Sequence, residues 1–185
     1  MIADILKDSK ERMKGAVQAL KEDLSAIRTG RASPSLIEKL SVEYYGQPTP
    51  LIQLASISVP EPRQLLIKPF DPGSIKDIER AISASDLGLT PNSDGKVVRL
   101  NLPQLTEERR RDLVKVVHAR VEEAHVAVRN IRRDAIKDMR DFKDEKLIGE
   151  DDLKRGEEET QKVTDEIIKE VDQLGTNKEK EVMEV

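Results

Sequence analysis

Arg129, Arg132 and Arg133 place three guanidinium groups within two turns of a stretch that reads as helix, and none has an acid three or four residues away on either side. No carboxylate occurs between Glu123 and Asp134. Like charges at helical contact spacing repel one another and cost stability unless an anion meets them. A guanidinium is a planar fork of donors that matches a pair of phosphate oxygens. The chemistry these residues offer is therefore phosphate docking. Most charged helix faces are solvated and internally paired, and the same test finds partners elsewhere on this flank. Arg111 has Glu107 and Glu108 at contact spacing, and Arg140 has Asp144. Arg28 also lacks an acid at helical spacing, and reads equally as a favourable cation at a helix C-terminus or as a further phosphate ligand.

Catalytic constellations are missing. The chain has no G-x-x-x-x-G-K-[ST], no G-x-G-x-x-G, no G-x-S-x-G and no EF-hand loop. Its two histidines, His118 and His125, stand seven residues apart with Glu122 between them. That separation is about 10 Å along a helix, too far for both rings and the carboxylate to converge on one ion with bonds near 2 Å. The absence of cysteine removes disulfides, thiol nucleophiles and thiolate metal sites. These residues describe a binding protein, with no enzyme chemistry, no metal and no cofactor expected.

The elements that must carry the arginines follow from hydropathy. From Thr106 to about Lys146 there is no proline or glycine. Val117, Val121, Ala124, Val128, Ile131, Ala135, Met139 and Phe142 recur there in steps of three and four. This predicts an amphipathic helix of about forty residues, roughly 60 Å long, with Thr106 as its N-cap and acids in its first turn. A first helix is predicted from Ile2 to about Arg28 on Leu6, Met13, Val17, Leu20, Leu24 and Ile27, ended by Gly30 in the left-handed position. A third follows the Gly149 turn on Leu153, Val163, Ile167, Val171 and Leu174, with Gly175-Thr176-Asn177 as a kink or frayed end. All nine prolines lie between Arg31 and Pro103. In that interval strands are expected around Leu40–Tyr44, Leu51–Ala55, Ile57–Val59, Leu65–Lys68 and Lys96–Leu102. Gly46-Gln47-Pro48 should form a turn, and a short helix capped by Ser74 should end near Gly88.

A helix with one apolar stripe is not stable alone. The expected fold is therefore α+β in two domains: an antiparallel three-helix bundle (residues 1–30 and 105–185) with a small β/α/β domain (31–104) inserted. The two crossings near 29–32 and 103–105 carry little apolar bulk. Thr29, Gly30, Arg31, Pro103, Gln104 and Leu105 thus read as a hinge.

Composition limits the partners. Charged residues make up 37% and aromatics 2%, which suits long exposed helices better than an aromatic-lined pocket. The net charge of -4 is uneven: residues 149–185 carry thirteen acids against six bases, and residues 105–148 carry twelve bases against ten acids. An acidic protein with one basic flank binds nucleic acid in a single orientation. So few aromatics argue against a general RNA chaperone. No apolar run is long enough to span a bilayer, so no membrane partner and a cytoplasmic setting are expected. The competing reading is a protein-only coiled-coil adaptor that uses the acidic third helix and apolar seams.

Five blocks carry a resemblance: I-R-T-G-R-A-S-P (Ile27–Pro34), Y-Y-G (Tyr44–Gly46), D-L-G-L-T-P-N-S-D-G (Asp86–Gly95), L-P-Q-L-T-E-E-R-R (Leu102–Arg110) and V-R-N-I-R-R-D-A (Val128–Ala135). In this order, over essentially the whole chain, the sequence resembles the ribosome recycling factor family. The resemblance implies an L-shaped protein that acts on the post-termination ribosome. With elongation factor G, and GTP hydrolysed by that partner, it would split the ribosome into subunits. It implies a bundle lying on large-subunit ribosomal RNA through Arg28, Arg31, Arg129, Arg132 and Arg133, with Arg110 as a weaker member. It also implies a monomer without cofactors. His125 departs from the family pattern, where a basic residue is expected, and would remove one phosphate contact.

Overall fold

The computed structural model describes residues 1–184. The chain folds as two compact units, a helical one of residues 1–27 and 107–184 and an inserted one of residues 28–106.

The helical unit consists of α1 (Ile2–Ala26), α4 (Glu107–Asp144) and α5 (Glu150–Met183). Their directions follow from the side chains that meet. Between α4 and α5, Arg140 pairs with Glu157, His125 with Asp172 and His118 with Glu179, so one number falls as the other rises. The two helices are antiparallel. Arg12 of α1 pairs with Asp134 and Lys21 with Glu170, while Ile2 lies beside Gly156. Thus α1 runs along α5 and against α4. The shared core joins Met13, Val17, Leu20 and Leu24 to Val117, Ala124, Val128 and Ile131, closed by Ile167 and Val171. Each such aliphatic side chain contributes about 1.5–3 kcal/mol on burial, which supplies what a lone amphipathic helix lacks.

Periodicity locates α1 and α4 to within two residues of their ends, but misreads two glycines. The first helix stops at Ala26 with Ile27 extended, and Gly30 does not take a left-handed conformation. Gly175 does not break α5, which continues to Met183. The buried stripe of α5 is Leu153, Gly156, Thr160, Thr164, Ile167, Val171, Gly175 and Val182. Half of it is glycine and threonine, and Val163 and Leu174 of the expected stripe are only partly buried. The two threonines enter the core because their hydroxyls donate to the carbonyls four residues back, Thr160 to Gly156 and Thr164 to Thr160, both at 2.7 Å.

The inserted unit holds two antiparallel sheets. β1 (Ser41–Tyr44) and β2 (Gln47–Pro50) form a hairpin. β3 (Ala55–Glu61), β4 (Gln64–Pro69), β5 (Pro91–Ser93) and β6 (Val98–Asn101) form a sheet of order β3-β4-β6-β5. α2 (Leu51–Leu54) and α3 (Ile75–Ala84) complete the unit. Its core gathers Ile37, Val42, Leu51, Leu65, Ile67, Ile78, Ile82, Val98 and Leu100, all completely buried.

Four local expectations change. The turn is Tyr45-Gly46, both at positive φ, as a two-residue hairpin requires; Gln47 and Pro48 already belong to β2. The Leu51–Ala55 run opens with one helical turn instead of a strand. Ser74 does not cap with its side chain. Asp71 does so one step earlier, accepting from the Gly73 amide at 2.9 Å, and Ser74 Oγ donates to the Asp71 carbonyl. α3 then ends at Ala84, short of Gly88.

Candidate nucleic-acid interface

The three arginines sit on α4 because Val128, Ile131 and Ala135 of the same segment face the bundle core. Arg132 follows the buried Ile131 directly and is half-buried, whereas Arg129 and Arg133 are exposed. Arg132 has no ion pair among the described residues, and its Nε is buried without a hydrogen-bond partner. Arg133 donates to the Asn130 side-chain oxygen at 2.6 Å, a neutral partner. Neither group has a carboxylate against it among the described residues.

Arg129 corrects the spacing argument. Its Nη2 donates to Glu122 Oε1 at 2.8 Å. A pair seven residues apart is separated by about 10 Å along the axis, a gap that a long arginine and a glutamate close by extending toward each other. The guanidinium holds the Glu122 carboxyl below the usual carboxylate range, with His125 adding a smaller effect in the same direction. Arg140 is corrected likewise. Its partner is Glu157 of α5, reached through both Nε and Nη2, and not Asp144. Arg111 pairs with Glu107 as the spacing requires.

Beyond Arg133 the flank continues as an open hollow lined by Arg132, Arg133, Ile136, Lys137, Arg140, Asp141 and Asp144. Four cations against two acids make it a basic surface. Lys137 escaped sequence reasoning because Asp134 and Asp141 stand at pairing distance in the chain; neither forms an ion pair with it among the described residues, and Asp134 is taken by Arg12.

The other expected site residues are distributed unevenly. Arg110 lies near the start of α4, more than five turns from Arg132, and its Nε is likewise buried without a partner among the described residues. Arg28 directly follows the C-cap residue Ile27 of α1. Its Nη1 donates to the Leu87 carbonyl at 2.7 Å, joining the IRTGRASP and DLGLTPNSDG blocks within the inserted unit. Arg31 is exposed in the same unit. Of the six, the structure brings together Arg129, Arg132 and Arg133.

His125 is not a solvent-facing substitute for a basic residue. Its side chain is 18% exposed, with Nε2 at 2.7 Å from Asp172 Oδ1 and Nδ1 at 3.5 Å from Glu122 Oε2. Among the described residues no group of three or more histidines and acids is arranged to hold a metal ion.

The expected hinge residues flank a pinned base. The Ala32 amide donates to the Pro62 carbonyl at 2.7 Å and the Leu102 amide to the Arg63 carbonyl at 2.8 Å. Both chain crossings are thereby tied to one β-turn of the insert. Thr29 is buried, and a Cβ added at Gly30 would come within ordinary contact distance of Leu105, at 3.9 Å.

Comparison with known proteins agrees with this layout. The family model for ribosome recycling factor matches residues 20–183. The ribosome-recycling factors of Syntrophomonas wolfei subsp. wolfei and Roseiflexus sp. (strain RS-1) are 56% and 54% identical, each over all 185 residues and the full length of both chains. A solution structure of the ribosome recycling factor superposes with a TM-score of 0.79 at 44% identity, covering 100% of this chain and 98% of that one. A second structure, of models for the T. thermophilus ribosome recycling factor and the E. coli elongation factor G bound to the E. coli post-termination complex, aligns with a TM-score of 0.67 at 42% identity, covering both chains completely. A match of this extent, on a helical unit interrupted by a small β/α insert, means that the chain belongs to the ribosome recycling factor family of non-enzymatic translation factors.

Proposed function

We propose that this protein recycles ribosomes in the cytoplasm, binding the post-termination ribosome as a monomer through large-subunit ribosomal RNA. It acts with elongation factor G, which hydrolyses the GTP, to separate the subunits. The observation that carries the RNA contact is the pair Arg132 and Arg133, which have no carboxylate partner among the described residues and stand on a rigid 38-residue helix. Guanidinium forks on a rod bind backbone phosphates and fix orientation without reading sequence. Arg129 and Lys137 extend the same contact, and Arg110, Arg28 and Arg31 supply more distant ones. The relative bound to the post-termination complex alongside elongation factor G supports the partner assignment. No step requires a cofactor. The protein-only adaptor needs an apolar seam left for a partner, but the stripes of α1, α4 and α5 are buried in one another.

Sedimentation with ribosomes at two salt concentrations tests this reading. Each phosphate contact releases condensed counter-ions, so these seven contacts should lower the association constant by about a thousandfold or more between 50 and 200 mM salt. Binding that barely responds to salt points to the adaptor instead.

The hinge belongs to the same proposal. Because Ala32 and Leu102 are tied to residues 62 and 63, the freedom is assigned to Thr29, Gly30 and Arg31 on one crossing and to Pro103, Gln104 and Leu105 on the other. Labels on α4 and α3 should report a distance distribution that narrows when the protein binds ribosomes. An identical distribution free and bound would remove the hinge.

A further inference from the structure

Glu122 is the only carboxylate that touches the arginine triplet among the described residues. Its two oxygens face different groups: Oε1 accepts from Arg129 at 2.8 Å, and Oε2 lies 3.5 Å from His125 Nδ1. His125 is itself fixed from α5 by Asp172 at 2.7 Å. The carboxylate is thus buttressed on one side by a largely buried ring and reaches outward on the other. Both Glu122 and Arg129 remain more than half exposed, at 62% and 53% of the side-chain surface. A surface pair of this kind contributes little to the stability of the fold.

We propose that Glu122 is an internal competitor for phosphate and sets the selectivity of the Arg129 contact; this rests on the RNA-binding reading above. With Arg129 occupied by a carboxylate, a passing polyanion gains only Arg132 and Arg133 freely. To engage the third arginine it must displace Glu122 and bring a phosphate beside a fixed negative charge. A rigid RNA surface that presents a phosphate at the Arg129 position compensates for that displacement, while a flexible or mismatched one does not. Discrimination of this kind comes from a repulsive group placed beside the attractive ones. The arrangement also relieves repulsion inside the triplet in the free protein, since Arg129 stands three and four residues from Arg132 and Arg133.

A double-mutant cycle with purified 50S subunits at low salt decides this. Glu122→Gln keeps the side chain's shape and removes its charge. It should tighten 50S binding about two- to fivefold, the range of an exposed ion pair, and tighten binding to poly(U) by a larger factor, so that selectivity falls. In an Arg129→Ala background the same substitution should have no effect on either ligand. Equal gains with and without Arg129 would mean that Glu122 acts as bulk negative charge, and would overturn the assignment, as would unchanged or weaker 50S binding by Glu122→Gln. Arg132→Ala serves as the control for the underlying reading. If it too leaves 50S binding unchanged, the RNA contact is misplaced; if it weakens binding while Glu122→Gln does nothing, only the competitor role is lost.

Discussion

Arg132→Ala should weaken ribosome binding by about tenfold or more, the loss expected when a charged hydrogen-bonding group is removed from its partner. The slope of log K against log salt should become shallower by about one unit. Arg132 is singled out by its surroundings. Its Nε is buried with no acceptor among the described residues. Among the described residues it has no carboxylate to exchange for phosphate, whereas Arg129 must first release Glu122. Among the described residues Arg133 has only the Asn130 amide oxygen to release. The expected ranking of alanine effects is therefore Arg132 first, Arg133 next and Arg129 last. Arg132→Lys separates charge from geometry. It should keep most of the salt slope, because one cation replaces another, yet lose affinity because a point charge replaces a two-pronged fork. Unfolding by urea should be unchanged in Arg132→Ala, or shifted slightly upward, since the substitution removes repulsion and an unpaired buried nitrogen. An Arg132→Ala protein that binds ribosomes with wild-type affinity and slope would take Arg132 out of the interface.

The arginine cluster was visible in the sequence because helical contacts at three and four residues follow from geometry alone. The limits of that test are equally physical. Glu122 lies seven residues from Arg129, outside the window, and only two long side chains reaching toward each other close the gap. Glu157 lies on another helix, so no spacing within α4 could reveal it as the partner of Arg140. Backbone preferences show the same division. The edge strands β3 and β5 contain Pro60 and Pro91, tolerable where one side of a strand has no ladder to complete. A scan for β-branched runs passes over Pro91–Ser93, and over the Gln47–Pro50 strand with its two prolines, for that reason. In α5 the inward face mixes Leu153, Ile167, Val171 and Val182 with Gly156, Thr160, Thr164 and Gly175. Hydropathy registers the first group and misses the second, because glycine and threonine signal burial only once a neighbouring helix is known to approach them.

That last distinction yields opposite outcomes for one substitution at three helical glycines. Exchanging glycine for alanine in a helix gains about 1 kcal/mol of intrinsic propensity. At Gly15 of α1 a new Cβ would meet nothing within 4 Å, so Gly15→Ala should raise stability by about that amount. At Gly175 the Cβ would stand 2.6 Å from Val121 Cγ2 on α4. A β-branched valine in a helix has one strongly preferred rotamer and cannot swing aside, so α4 and α5 must separate locally. Overpacking of this kind costs about 1–3 kcal/mol, and Gly175→Ala should be destabilising despite its better propensity. Gly156 falls between these cases. Its Cβ would meet Met139 Sδ at 2.7 Å and Ile2 Cγ2 at 3.3 Å, but a methionine side chain adapts readily, so Gly156→Ala should be close to neutral. Urea midpoints followed by far-UV circular dichroism give the comparison. The decisive member is Gly175→Ala combined with Val121→Ala. Removing the two methyl groups clears the space, so alanine at 175 should become stabilising in that background, a coupling seen only when two residues share one contact. If Gly175→Ala stabilises the wild-type chain as Gly15→Ala does, then α4 and α5 do not approach at Val121, and Gly175 is in α5 for some reason other than the fit between the two helices.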